Sequence, residues 1–295
     1  MMSALVLNGH PLTPTPSDTS APWWSFTKTV LAATALSLVR DGLVGLDDPV
    51  LEGPFTLRQL LRHEAGLADY SELTEYHTAV ANDEAAWPAD EMLSRLDAST
   101  LRFAPGTGWR YSNVGYLFVA RLIERTTGLA LEEALIQRAL KPLDVCHVRL
   151  AKQRADLQGV PMGAASCYDP AWVYHGLLVG PLGQAATFLD RLLAGHLLPE
   201  SLLQDLQTVR HLGGPIPGRP WISPGYGLGV MRGPVEGGLT LCGHTGGGPG
   251  SVVAVYRAID GEASATCAVF QEGADEGEVE AAVVKDLRGA LGKAG

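Results

Sequence analysis

Apolar residues follow two different periods along this chain. In the first half they recur at helical spacing. From about Ser25 to Arg40 the run is apolar around most of its circumference, which predicts a buried central helix ending at Asp41-Gly42. Thr56-Leu57-Arg58-Gln59 reads as a capping box opening a short helix with Leu57, Leu60 and Leu61 on its inner stripe and Gly66 as its stop. Further helices are predicted at about 89–97, at Asn113–Thr127 with Leu117, Phe118, Leu122 and Ile123 inward and Gly128 as the C-terminal stop, and at about 131–139. In the last third the pattern shortens to strand-like runs at Tyr226–Arg232, Leu239–Cys242, Ser251–Arg257 and Ala263–Gln271, separated by Gly, Pro or Asp as in an antiparallel meander. Helices are expected at Thr187–Gly195, about 200–210 and about 275–292. At the N-terminus, Ala4–Leu7 is a short strand closed by Asn8-Gly9, Pro11 weakens its return, and 11–22 reads as loop.

Segregated strands and helices argue an α+β fold with an inserted helical domain. The expected division is a discontinuous sheet domain, 1–45 with 165–295, and an all-helical domain, 46–164, with the site in the cleft between them. A length of 295 residues, 46% hydrophobic and 18% charged, provides ample core. The net charge of −10 and the absence of basic runs argue against a nucleic-acid partner. The four cysteines, Cys146, Cys167, Cys242 and Cys267, form no C-x-x-C and are expected to be isolated buried thiols. The N-terminus has no basic segment, its apolar stretch is about four residues, and nothing approaches the roughly 20 apolar residues of a membrane span, so a cytoplasmic chain without membrane contact is expected.

Candidate chemistry begins at Ser25-Phe26-Thr27-Lys28. Residues three apart share a helix face, so the amine can reach the hydroxyl and take its proton, provided that the lysine is partly desolvated. Trp23, Trp24 and the run Val30–Ala33 supply an apolar setting for it. Tyr111-Ser112-Asn113 follows a Pro-Gly turn and opens a helix, where a tyrosine hydroxyl can face a cleft near the favourable end of the helix dipole and an amide can hold a substrate amide. His244-Thr245-Gly246-Gly247-Gly248 lies between two strands, and its glycines would let a substrate lie along a strand edge near a backbone N–H. Each of the three, alone, also reads as ordinary structure: a solvated helix face, a core tyrosine beside an N-cap, a glycine-rich hairpin.

Together, and in this order, they resemble the motif set of the serine β-lactamase and penicillin-binding protein superfamily, above all its class C β-lactamase-like branch. That branch also holds D-alanyl-D-alanine carboxypeptidases, D-aminopeptidases and carboxylesterases. The linking text is similar too: Asp47-Asp48-Pro49, Thr56 to Leu67, Phe103-Ala104-Pro105-Gly106 and Gly243 to Gly247. The resemblance spans roughly residues 20–270 and implies a β-lactamase/transpeptidase-like fold, an antiparallel sheet flanked by helices plus the inserted helical domain. It implies Ser25 as the acylated nucleophile, Lys28 as proton shuttle and Tyr111 as general base. The N–H groups of Ser25 and Gly247 would form the oxyanion hole, with Thr245 and Gly246 beside the substrate. Asn113 would hold the acyl side chain, and His244 would support Tyr111 and the substrate electrostatically. No cofactor or metal is implied. Tyr stands where related motifs carry Ser, and His where others carry Lys. With only 24 residues before Ser25, a smaller sheet or a missing N-terminal helix is expected.

A histidine anchors an anion more weakly than a lysine at neutral pH. The expected substrate is therefore a small ester, amide or short peptide, in the manner of an esterase or D-amino-acid peptidase. A true β-lactamase or DD-carboxypeptidase is the alternative, and a catalytically silent cleft-binding relative is the alternative of another class. No G-x-S-x-G or H-E-x-x-H occurs. His63 is expected to satisfy helix-end carbonyls, and specificity is assigned to loops at 70–90 and 165–182. The sequence gives no reading of the oligomeric state.

Overall fold

The computed structural model describes residues 1–12 and 20–293. The strands are β1 (Met2–Leu7), β2 (His10–Pro11), β3 (Ser20–Pro22), β4 (Arg149–Ala151), β5 (Leu177–Pro181), β6 (Arg210–His211), β7 (Gly225–Tyr226), β8 (Met231–Pro234), β9 (Thr240–Gly248), β10 (Ser251–Asp260) and β11 (Ala263–Glu272). The helices are α1 (Thr27–Arg40), α2 (Leu57–Leu61), α3 (Thr74–Ala81), α4 (Ala89–Arg95), α5 (Asn113–Thr127), α6 (Leu131–Leu135), α7 (Leu182–Leu193), α8 (Glu200–Gln207) and α9 (Glu276–Ala290). Eight strands form one antiparallel sheet in the order β2-β1-β11-β10-β9-β8-β7-β6, and β3-β5-β4 form a second, small sheet. The expected meander is present, with β1 added against β11 in the register Ala4↔Ala268.

Alternate residues of β10 feed two cores. Val253 and Val255 join α1 and α7 on one face, while Ala254, Tyr256 and Ala258 join Val279, Val283 and Leu287 of α9 on the other. Burial on both faces is why this strand reads as a nearly continuous apolar run. In α1 every residue from Thr27 to Leu38 is buried, as its all-round apolar character predicts. The Thr56 capping box forms as read. In α5 the Ser112 hydroxyl accepts from Gly115 N–H at the start, and Gly128 ends the helix at φ +69°, a conformation that favours glycine.

Several boundaries differ from the sequence reading. Ser20–Pro22, read as loop, pairs with β5, and Leu177–Pro181 was also missed; their mutual pairing joins segments more than 100 residues apart. Residues 13–19 of the predicted loop lie outside the described residues. Pro11 still ends a two-residue return strand. Residues 46–164 are not purely helical, because β4 pairs with β5. The expected strand Tyr226–Arg232 is a hairpin, with Gly229 at φ +80° and its carbonyl accepting from Thr29 Oγ1 at 2.7 Å. Residues 70–90 hold α3 rather than loop alone. The helix expected from Thr187 begins at Leu182, just after Pro181. All four cysteines are free, but Cys146 and Cys167 are exposed. No helix among the described residues is long and apolar enough to cross a membrane.

One buried carboxylate ties α9 to the sheet. Glu280 is fully buried, receives Arg219 Nε at 2.8 Å and Trp221 Nε1 at 3.0 Å, and also accepts from the Thr245 hydroxyl. Removing one partner of such a cluster leaves buried donors unpaired. Glu280→Ala is therefore expected to lower unfolding free energy by about 3–5 kcal/mol, measured by urea denaturation, with a larger loss than for alanine at the exposed Glu278.

Candidate active site

Ser25 sits on a 3-10 turn, Trp24–Phe26, that leads straight into α1. Trp24 has φ +38°, an unfavourable left-handed conformation for a bulky residue. Packing holds it there: its indole donates to Ser251 Oγ at 3.0 Å and meets Tyr168 edge-on. On the other side Trp23 N–H donates to Leu178 O at 2.8 Å and its indole to Gly180 O at 3.2 Å. Strain of this kind costs on the order of 1–3 kcal/mol and persists where surrounding structure over-determines it.

The structure brings Ser25, Lys28, Tyr111 and Asn113 together. Lys28 Nζ is 3.1 Å from Ser25 Oγ and 2.7 Å from Asn113 Oδ1, and the Tyr111 hydroxyl donates to Ser25 Oγ at 2.9 Å. Lys28 is wholly buried, and desolvation lowers its pKa to about 7, with nearby Asp69 opposing the shift. Burial pushes the Tyr111 phenol well above its ordinary range, so it stays protonated at neutral pH. Asp69 holds Asn113 by accepting from both its backbone N–H and its amide nitrogen, the latter at 3.2 Å.

Strand β9 forms the opposite wall. Its last pair with β8 is Met231↔Gly243, so from His244 onward only β10 pairs with it and an edge is left beside Ser25. Glycine is required at 246 and 248 for contact: a Cβ would lie 2.4 Å from Ser25 N at Gly246 and 2.4 Å from the Trp24 ring at Gly248. At Gly247 a Cβ would meet nothing nearer than Glu276 Oε1 at 3.7 Å, so its missing side chain leaves open space in the cleft.

His244 and Thr245 are placed differently from a substrate-facing pair. His244 is buried, with Nε2 2.8 Å from the Tyr226 hydroxyl and Nδ1 2.6 Å from Thr245 O. Desolvation, reinforced by Lys28, lowers its pKa to about 3, so it carries no charge at neutral pH. Its ring lies 6.5 Å from that of Tyr111. The Thr245 hydroxyl is taken up by Tyr256 and Glu280.

Sequence reasoning missed Asp69, His175 and Glu276. His175 is buried with Nε2 3.1 Å from Lys28 Nζ, and Glu276 lines the cleft while pairing with Arg219. Asp69 has a weak local signal, as the cap of a 3-10 turn with its carboxylate on Ser71 N–H. His175 lies in the 165–182 segment, but nothing in its neighbours marks it. His63 does not serve helix-end carbonyls: its Nδ1 accepts from Ser112 N–H at 3.1 Å, and its ring lies tilted against that of Tyr111 with centroids 4.3 Å apart. The cleft over Ser25 measures about 740 Å³ and takes its walls from both segments expected to flank it, including Tyr70, Tyr76 and Asp83 from one and Tyr168 and Val173 from the other.

Residues 4–284 match the sequence model of the Beta-lactamase family. The chain belongs to that family. It is 28% identical over 257 residues to a D-aminopeptidase of Cereibacter sphaeroides, covering 83% of this chain and 47% of that protein. It is 32% identical over 152 residues to esterase EstB of Burkholderia gladioli, covering 44% of this chain and 38% of the esterase. The chain thus spans less than half the length of these curated relatives. Among solved structures it resembles the D-stereospecific amidohydrolase from a Streptomyces species, with TM-score 0.75, 25% identity and coverage of 97% of this chain and 93% of that one. The β-lactamase/transpeptidase-like fold expected from the motifs is the observed one.

Two substitutions separate the roles of these groups. Gly246→Ala drives a Cβ into backbone and is expected to cost at least about 1–3 kcal/mol, whereas Gly247→Ala leaves the melting temperature within about a degree and obstructs only the cleft; differential scanning fluorimetry reads both. Lys28 has a folded-state pKa below its unfolded value, so the unfolded chain binds more protons between about pH 7 and 10.5 and stability rises across that window. Lys28→Met is accordingly expected to raise the melting temperature most below pH 7, with the gain fading towards pH 10.

Proposed function

We propose that the chain is a serine hydrolase that cleaves a small ester or amide through an acyl-enzyme on Ser25. The observation that supports this best is a serine hydroxyl held between a wholly buried amine, 3.1 Å away, and a protonated phenol, 2.9 Å away. In this reading Lys28, with its pKa near 7, is the base. Ser25 Oγ attacks the carbonyl carbon while its proton passes to Lys28. The carbonyl π pair moves to oxygen, where the N–H groups of Ser25 and Gly247 receive it. As the tetrahedral species collapses, the leaving oxygen or nitrogen takes the Tyr111 proton, and Lys28 replaces it. Water then attacks the acyl-enzyme through the same groups in reverse. Tyr111 serves as a relay rather than as a phenolate base, because burial keeps it protonated. Asn113 holds Lys28 and the acyl side chain, and His244 acts by packing and by its bond to Tyr226. The sheet part, 1–45 with 165–295, carries Ser25 and β9, and the mainly helical part, 46–164, which also holds β4, carries Tyr111 and Asn113 across the cleft.

The lining of the cleft bears on the substrate. Trp24, Tyr70, Tyr76 and Tyr168 give an aromatic wall suited to an apolar acyl group, and Asp83 and Glu276 are carboxylates; no Arg or Lys is among the described lining residues. With His244 uncharged, the described lining has no Arg or Lys to anchor a carboxylate, which favours uncharged or cationic esters and amides over penicillins and C-terminal carboxylates. The D-aminopeptidase and esterase relatives agree in kind with this choice.

Turnover of p-nitrophenyl butyrate and of nitrocefin by wild type and by Ser25→Ala tests the reading. Ester hydrolysis is expected, with kcat/KM rising through about pH 7 as Lys28 loses its proton, with nitrocefin far slower and all turnover lost in the variant. Mass spectrometry should find one acyl group on Ser25. No acylation by any ester or amide would support a silent cleft-binding relative instead.

A further inference from the structure

Lys28 Nζ has three polar neighbours: Ser25 Oγ at 3.1 Å, Asn113 Oδ1 at 2.7 Å and His175 Nε2 at 3.1 Å. A neutral amine offers two N–H donors and one lone pair. Asn113 presents its oxygen to Lys28, because its amide nitrogen donates to Asp69. One N–H is thereby engaged, and the direction of the lone pair depends on what His175 does.

We infer that His175 is a positioning residue that accepts the second N–H of Lys28 on Nε2 and so aims the amine lone pair at Ser25 Oγ. The inference rests on Lys28 being the base in the proposed reaction. Three observations carry it. His175 is buried, and its Nδ1, which must bear the proton if Nε2 accepts, has no hydrogen-bond partner among the described residues. A buried polar atom left unsatisfied is costly, so Nδ1 offers the ring no compensation, and Nε2 at Lys28 is its one hydrogen-bond contact among the described residues. The backbone that carries the ring is also fixed: Gly176 follows at φ +95°, its N–H donates to Val173 O at 2.6 Å, and a Cβ there would lie 2.8 Å from Leu150. Beyond it, β5 is locked to the start of α1 through Leu178 N–H, which donates to Thr27 Oγ1 at 3.1 Å.

The other groups around the amine do not supply this acceptor. Asp69 stands behind Asn113 and acts on Lys28 through charge alone. The faces of Tyr111 and Tyr116 lie 5.1 and 5.7 Å from Nζ at their centroids. The nitrogens of His244 are committed to Tyr226 and Thr245, and His63 uses Nδ1 for Ser112.

The chain has five lysines, Lys28, Lys141, Lys152, Lys285 and Lys293, so [ε-13C]lysine NMR can follow Lys28 by itself. The variants are His175→Leu, which has no acceptor, His175→Asn, whose oxygen falls short of the Nε2 position, and His175→Gln, whose side-chain oxygen reaches about as far as Nε2. An accepted hydrogen bond stabilises the ammonium more than the amine. Leu and Asn are therefore expected to lower the Lys28 titration midpoint and, with it, the acid limb of kcat/KM. In both, kcat falls roughly 10- to 100-fold with KM within about twofold, and Gln restores midpoint and rate. An unmoved midpoint in whichever of Leu or Asn folds, or a Gln variant that behaves like them, overturns the inference. If the wild type hydrolyses nothing, the proposed reaction fails, but the Lys28 midpoint still decides whether His175 bonds the amine.

Discussion

The rest of the site depends on a buried amine. Lys28 emerges from a helix that is buried along nearly its whole length, and desolvation disfavours its ammonium form, with no carboxylate among its hydrogen-bond partners in the described residues. Asp69 is near enough to oppose the shift but is separated from Nζ by Asn113. A carboxylate in direct contact would keep the amine protonated. The arrangement leaves an amine that changes protonation near neutral pH at hydrogen-bond distance from a serine. The same desolvation acts with opposite sign on the phenol beside it, which stays protonated. Burial thus separates two neighbouring groups into a proton acceptor and a proton donor.

Holding the serine at that point requires the chain to turn sharply before α1. Trp24 takes a left-handed conformation, and β9 must come close enough to support it. Glycines at 246 and 248 make that approach possible, and the third, Gly247, leaves room where a substrate would lie. Glu280 and Arg219 fasten β9 to α9 from behind, which puts Glu276 at the rim of the cleft. One strand therefore couples stability, nucleophile placement and the charge of the cleft.

The three motifs could be read from the sequence because each depends on local chemistry. Lys28 lies one helical turn after Ser25, and Asn113 follows Tyr111 across an N-cap. The α5 boundaries were legible for the same reason, since Ser112 and Gly128 mark its ends by side-chain capping and backbone conformation. Strands β3, β4 and β5 were not legible, because each is short and the β3–β5 pairing that completes their sheet joins segments more than 100 residues apart. The single strand read at Tyr226–Arg232 became a hairpin, because Gly229 turns against α1.

By itself the sequence determined the fold class, the family motifs and the spacing that lets Ser25 meet Lys28, since helical period and glycine content act over a few residues. Only the tertiary structure decided which groups are charged. His244 reads as a possible cation but is enclosed and neutral, and Lys28 is brought to a pKa near 7. Only the tertiary structure, too, brings Asp69 and His175 to the site, from positions 41 and 147 residues beyond Lys28. Desolvation is a property of everything that surrounds a group, and most of what surrounds these groups is distant in sequence.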